Sequence, residues 1–86
     1  MRIAFHRAFE KRYRKAPAKI RSQFEARLRF FASEPFHPIL GNHPLAGDRK
    51  GQWTINVSGD WRAVYVRRDK DGVVFLDLDT HSNLYG

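Results

Sequence analysis

Three short runs in which apolar and polar residues alternate constrain the fold of this chain more than any other feature. They occupy GQWTINVSGDWRAVYVRRDKDGVVFLDLDT, residues 51–80, and each has the two-residue period of a half-buried β-strand. The segments SGD (58–60) and DKDG (69–72) separate the runs and have the composition of tight turns. Because consecutive strands joined by such turns pair antiparallel, the sequence predicts an antiparallel sheet in its second half.

The first half follows a helical period instead. Phe5, Phe9 and Tyr13 recur every four residues, as on one face of a helix. Pro17 ends this stretch and suits the first turn of a second helix, whose apolar face is formed by Ile20, Phe24, Leu28 and Phe31. RIAF at 2–5 is a candidate edge strand. The predicted fold is therefore α+β, with an N-terminal strand and a two-helix hairpin packed on a small antiparallel sheet.

The charge of the chain is concentrated in the predicted helices. Residues 1–36 contain ten basic and three acidic side chains, whereas residues 37–86 contain six of each, so the net charge of +7 belongs to the first part. Such an imbalance favours a polyanion or an acidic protein as partner, although a solvated helical face has the same composition. The length of 86 residues predicts a single domain spanning 1–86.

Composition excludes several classes of protein. The chain has no cysteine, which rules out disulfides and thiolate metal sites and agrees with a reducing compartment. No apolar run approaches the roughly 20 residues of a membrane helix, and the charged start is unlike a signal peptide. We therefore expect a cytoplasmic protein that binds no membrane. The four histidines lack the spacing of a metal motif, and we expect neither a metal nor a cofactor.

Candidate catalytic groups lie in the turns and at the strand ends. His43 precedes the first of the three strands, Asp60 lies in the first turn, and His81 directly follows the third strand. Antiparallel pairing brings the start of the second strand, Trp61, next to the end of the third strand. Asp60 and His81 are therefore predicted to share one edge of the sheet.

A carboxylate, histidines and nearby cations can cleave RNA without a metal. One group removes the proton of the ribose 2′-OH, a second protonates the leaving 5′-oxygen, and a cation stabilises the phosphorane. Histidine suits both proton transfers because it titrates near neutral pH. Arg49, Lys50 and Arg62 are candidate cations, and Tyr85 is a candidate for stacking a base, which is worth roughly 1–3 kcal/mol.

The same residues also have plainer interpretations. A loop histidine is usually a surface residue, Asp60 beside a glycine is commonly a turn former, and Trp53 and Trp61 are typical of a core or its rim. Arg62 alternates onto the solvent side of its strand. The residues by themselves therefore indicate a basic α+β domain that binds nucleic acid.

Three motifs in order resemble a known family. NHPLAGDRKGQWTINVSGDWRAVY followed by DTHSNLYG resembles toxins of the RelE/ParE superfamily of bacterial toxin–antitoxin modules, and within it the YafQ-like ribosome-dependent mRNA interferases. The shared features are an HPL.G…KG loop, a DW..(I/V)Y strand and a TH..L(Y/F)G ending. The resemblance covers about residues 40–86, and the helical hairpin agrees with the family in length and pattern.

The resemblance implies a fold, an activity and partners. It implies two N-terminal helices on a small antiparallel sheet, metal-free cleavage of mRNA in the ribosomal A site beside ribosomal RNA, and inhibition by a cognate antitoxin. By motif position, His43 and Asp60 match catalytic residues and His81 matches the general acid. Trp61 and Tyr85 match the aromatic residues of the family.

One position departs from the family pattern. Asn56 stands where YafQ-like toxins have a second histidine and where many relatives have an arginine, and asparagine neither titrates nor carries charge. It can still hydrogen-bond phosphate or ribose. This departure leaves open a catalytically degenerate protein of the same fold that binds RNA or an antitoxin. A ParE-like toxin that targets gyrase is a second alternative, because a fold does not determine function.

Overall fold

The computed structural model describes residues 1–85, which form a five-stranded sheet and three helices. The elements in chain order are β1 (Arg2–Phe5), α1 (Arg7–Lys15), α2 (Ala18–Ser33), β2 (His43–Pro44), β3 (Gln52–Ser58), β4 (Trp61–Asp69), β5 (Gly72–Thr80) and α3 (His81–Tyr85). Two 3₁₀ turns, Pro38–Leu40 and Gly47–Arg49, lie on either side of β2. The order across the sheet is β1-β5-β4-β3-β2, which confirms the α+β class.

The three alternating runs form the predicted antiparallel strands. β3 pairs with β4 and β4 pairs with β5, both antiparallel. Gly59 begins the first connection with a φ of +52°, a left-handed conformation that glycine adopts without the steric penalty of a Cβ. Turn composition and alternation were thus sufficient to predict this part of the fold.

The sheet is nevertheless mixed, because the candidate edge strand at the N-terminus, for which the sequence predicted no direction, runs parallel to its neighbour. β1 pairs in parallel with β5, with Arg2 opposite Gly72 and Phe5 opposite Phe75. No tight turn connects these two strands, so local sequence carries no information about their relative direction. At the other edge, β2 pairs two residues of the predicted loop with β3.

The core lies between the two long helices and one face of the sheet. Phe9, Phe24 and Phe31 from the helices are at most 2% exposed, and Phe75 of β5 lies among them. The ring centroids of Phe24 and Phe75 are 5.3 Å apart in an edge-to-face arrangement, the geometry that aromatic pairs prefer. Phe5 also contacts this cluster, but from β1 rather than from the predicted helix.

The opposite face of the sheet, called the second face here, carries the side chains that alternate away from the helices. It includes Thr54, Asn56, Arg62, Val64, Asp77 and Asp79. Thr54 is 1% exposed and its hydroxyl donates to the carbonyl of Ala63 at 3.2 Å. Although Thr54 is a polar position of the β3 alternation, it is buried, and its hydroxyl is satisfied within the sheet.

Several basic side chains of the helices have structural partners. Arg27 of α2 is half-buried, and it donates to the carbonyls of Val57 at 3.2 Å and Ile39 at 3.0 Å. Arg21 donates to the carbonyl of Ala16. Within residues 1–85, no helix combines the length and apolar character required to cross a bilayer.

Candidate active site

Asp60 and His81 meet at one end of the sheet. Trp61 pairs with Thr80, and the backbone N–H of His81 donates to the carbonyl of Asp60 at 2.7 Å. The predicted juxtaposition of these two residues is confirmed, because β4 and β5 pair in the register that their connecting turn dictates. Both residues are exposed.

The ring of His81 lies against Tyr85. The two ring centroids are 4.6 Å apart with an interplanar angle of 72°, and Tyr85 is 37% exposed. Tyr85 therefore offers an accessible aromatic face beside an accessible imidazole. Gly86, the last residue of the terminal motif, lies outside the described residues.

Asp79 anchors the short helix that carries His81. One carboxylate oxygen accepts from the side chain of Asn83 at 3.0 Å and from the backbone N–H of Thr80 at 2.8 Å. The other oxygen accepts from the guanidinium of Arg12 on α1 at 3.0 Å. Because Asp79 is only 8% exposed, these partners are what make the burial of its charge tolerable. Sequence reasoning did not single out this residue, although DLDT places two carboxylates on alternate strand positions before His81.

Arg62 borders the same end of the sheet. It stands between Asn56 and Asp79 in one row across three strands. Its guanidinium donates to the carbonyls of Gly59 at 2.8 Å and Trp61 at 3.0 Å, and so it lies over the β3–β4 turn. Trp61 is half-buried and packs against the core cluster, which agrees with the plainer interpretation of this tryptophan.

His43 lies further along the second face. It pairs with Thr54, and directly opposite residues of an antiparallel pair share a face. Its side chain is exposed, and Nδ1 is 2.8 Å from the carbonyl oxygen of Gly41. Asn56 lies two residues beyond Thr54 on the same face, directly beneath Gly41: a Cβ at position 41 would be 2.5 Å from the amide nitrogen of Asn56.

The two predicted cations of the loop differ in their surroundings. Arg49 is half-buried, donates to the side-chain oxygen of Gln52 at 2.9 Å, and lies 3.9 Å from a carboxylate oxygen of Asp77. Lys50 is exposed. Arg12 also approaches Asp77, at 3.7 Å. Two arginines and two aspartates therefore alternate beside the candidate site, and Arg49 is held in place by this network.

The histidines and carboxylates show no arrangement typical of a metal centre. Within residues 1–85, no group of three or more such side chains is close enough together to hold a metal ion. Asp60 and His81 adjoin at the β4–β5 end of the sheet with the guanidinium of Arg62 over the neighbouring turn, and His43 lies on the second face.

Known structures share this architecture. The sequence matches no family model and no curated protein sequence. YafQ from Escherichia coli BL21(DE3) superposes with a TM-score of 0.81 at 21% identity, covering 100% of both chains. A YoeB/ParE toxin from Agrobacterium tumefaciens gives a TM-score of 0.76 at 19% identity, covering 94% of this chain and 99% of that one.

A third structure was solved with its partner. A chain of the E. coli DinJ–YafQ toxin–antitoxin complex superposes with a TM-score of 0.78 at 22% identity, covering 98% of this chain and 96% of that one. These identities are low, whereas the superpositions extend over almost the full length of each chain. The sequence resemblance is thus confirmed at the level of structure: this chain has the fold of the RelE/ParE-type toxins.

Proposed function

We propose that this protein is the toxin of a type II toxin–antitoxin module, a cytoplasmic endoribonuclease that cleaves mRNA on the ribosome. The observation that carries the proposal is the junction of β4 and β5. There the backbone of His81 is hydrogen-bonded to Asp60, and the guanidinium of Arg62 lies over the adjoining turn. The fold shared with YafQ and YoeB/ParE-type toxins supports the same assignment.

In the proposed reaction, His43 is the general base and His81 the general acid. His43 accepts the proton of a ribose 2′-OH, and the resulting 2′-oxygen forms a bond to the adjacent phosphorus. The bond from phosphorus to the 5′-oxygen breaks, and His81 gives its proton to that oxygen. The products are a 2′,3′-cyclic phosphate and a 5′-OH end, and the reaction requires no metal.

The remaining candidate residues bind the RNA substrate or stabilise the charge of the transition state. Asp60 and Arg62 flank His81, and a guanidinium there stabilises the charge that develops on the phosphorane. Lys50 is a second source of charge because it is exposed, whereas Arg49 is engaged by Gln52 and Asp77. Tyr85 stacks on a base of the substrate. Asn56 and Trp61 complete the binding surface.

The exposed basic side chains of the helices contact the partners. Arg7, Lys11, Arg14 and Lys15 on α1, and Lys19 and Arg29 on α2, are exposed. Such a surface attracts the phosphates of ribosomal RNA and equally an acidic segment of a cognate antitoxin. The DinJ–YafQ complex supports a protein inhibitor for a toxin of this fold.

Induction in bacteria followed by mapping of transcript ends tests the proposal. We expect new mRNA ends with a 5′-OH, and their loss in His81→Gln. His6→Asn is the matched control, because His6 is an exposed histidine that caps α1 and asparagine preserves that role. DNA breaks with intact mRNA would instead support a ParE-like gyrase poison. Binding of RNA or antitoxin without cleavage would indicate a degenerate member of the fold.

A further inference from the structure

We propose that Gly41, Asn42 and Asn56 are positioning residues that present His43 as a base with its proton confined to Nδ1. The inference rests on the proposed function, in which His43 accepts the ribose proton. It assigns a role to Asn56, the position at which the chain departs from the family pattern. It also concerns a segment, GNH at 41–43, whose first two residues take no part in the proposed chemistry.

The backbone next to His43 is held from the core side by Asn42. The side-chain oxygen of Asn42 accepts from the hydroxyl of Tyr65 at 2.8 Å, and its nitrogen donates to the carbonyl of Pro35 at 2.8 Å. Tyr65 is 3% exposed and belongs to the core cluster. Asn42 therefore ties the segment to the buried core, with one accepted and one donated hydrogen bond that neither aspartate nor alanine reproduces.

The carbonyl of Gly41 determines the tautomer of His43. A carbonyl oxygen only accepts hydrogen bonds, so the Nδ1 atom that lies 2.8 Å from it must be the donor. In the neutral imidazole the lone pair is then on Nε2. The ring presents that lone pair on the exposed side, which is the state that a general base requires.

The close approach of residue 41 to the side chain of Asn56 requires glycine at position 41. Gly41 has a φ of +53°, which L-residues with a Cβ rarely adopt. A Cβ there would also be 2.5 Å from the amide nitrogen of Asn56 and 3.2 Å from its Cγ. Asn56 thus supports the peptide whose carbonyl holds the imidazole, and its function is to position a titratable group rather than to titrate.

The chain offers a matched control for the strain of a left-handed residue. Gly47 has a φ of +64°, but no atom lies within 4 Å of the Cβ that alanine would add there. Gly41→Ala and Gly47→Ala therefore share the backbone penalty, and only Gly41→Ala collides with Asn56. The double variant Gly41→Ala/Asn56→Ala removes the collision and retains the strain.

The primary experiment is ¹⁵N NMR of the histidine rings in the free protein, at a pH well above the range in which imidazoles titrate. We expect the wild-type His43 ring to be protonated at Nδ1. In Gly41→Ala the ring should lose this preference, and in Gly47→Ala it should keep it. The double variant should recover only the weakened preference expected of Asn56→Ala, because it also lacks the Asn56 side chain. A wild-type ring protonated at Nε2, or a preference that survives Gly41→Ala, would overturn the inference.

Cleavage measurements on the same variants separate this inference from the proposed function. Gly41→Ala should lower kcat at least tenfold, the double variant should recover part of that loss, and Gly47→Ala should match the wild type. If the NMR pattern holds but no variant or wild-type protein cleaves RNA, the proposed function fails and the positioning of His43 stands. If Gly41→Ala does not fold, the test uses the His43 tautomers of the wild type and of Asn56→Ala. We expect protonation at Nδ1 in the wild type and a weaker Nδ1 preference in Asn56→Ala.

Discussion

The two candidate catalytic histidines lie in segments that are held in place by different interactions. His43 belongs to residues 41–45 and His81 to residues 79–85. The first is fixed by neutral hydrogen bonds: Asn42 binds a buried hydroxyl, and a backbone carbonyl engages the ring of His43. The second is fixed by a buried carboxylate, Asp79, which joins α1 to α3. His81 in this segment is held by the hydrogen bond from its backbone N–H to the carbonyl of Asp60 and by the contact of its ring with Tyr85.

This difference fits the two proposed roles. A base needs a defined lone pair, so its second nitrogen must be engaged, whereas an acid needs a proton that can leave toward the substrate. The comparison also separates the two segments experimentally. Changes to charged groups should affect α3 and His81, and changes to neutral hydrogen bonds should affect the segment of His43.

The largest expected effect is the loss of cleavage in His81→Gln. Glutamine retains hydrogen-bonding capacity but cannot deliver a proton, so we expect the cleavage rate to fall about 10²- to 10⁴-fold. The midpoint of thermal unfolding should remain that of the wild type, because the His81 side chain is exposed. Cleavage by His81→Gln at the wild-type rate would remove His81 from the mechanism.

The next largest effect concerns Asp79, the buried carboxylate that connects α3 to α1. Asp79→Ala removes three hydrogen bonds and should lower the free energy of unfolding by about 2–3 kcal/mol, as measured by urea denaturation. Asp77→Asn is the matched control in the same strand: its ion pairs at 3.7 and 3.9 Å are long, and we expect a loss of no more than about 1 kcal/mol. Equal losses in the two variants would show that the buried carboxylate has no special role.

Loss of the neutral hydrogen bonds of Asn42 should lower stability somewhat less than loss of the Asp79 carboxylate. Asn42→Ala leaves the hydroxyl of Tyr65 buried without its partner, and we expect a loss of about 1–3 kcal/mol in the free energy of unfolding. Tyr65→Phe removes the stranded hydroxyl, so the double variant should be less destabilised than the sum of the two single variants. Strict additivity in this double-mutant cycle would contradict a direct coupling.

The smallest effect is a loss of stability at alkaline pH. Burial raises the pKa of Tyr65, a shift that the charge of Arg67 partly opposes. Because the folded protein holds the phenolic proton more tightly than the unfolded chain, this contribution is complete below the unfolded pKa of about 10 and is lost as the pH rises through the folded pKa.

Urea denaturation between neutral and strongly alkaline pH measures this contribution. The pKa of Tyr13 is also raised, chiefly by its hydrogen bond to Glu25, so the comparison is best made in a Tyr13→Phe background. There, Tyr65→Phe should flatten the alkaline decline. An unchanged decline would mean that Tyr65 does not contribute to it.

Local patterns predicted those parts of the fold that depend on neighbours in sequence. Alternation and turn composition placed β3, β4 and β5, and the resulting register brought Asp60 next to His81. The direction of β1 could not be predicted, because its pairing with β5 joins residues about 70 positions apart with no turn to set the direction. For the same reason the role of Asp79 was missed, since its partner Arg12 lies on another element.

The amino-acid sequence by itself determined the helical hairpin, the antiparallel meander and the identity of the groups available for proton transfer. These follow from periodicity, turn chemistry and side-chain type, which are properties of short segments. Only the tertiary structure decided that β1 runs parallel to β5, that Arg49 is already paired, and that Asn56 lies beneath Gly41. Such relations depend on which distant residues become neighbours when the helices cover one face of the sheet, and no local pattern encodes them.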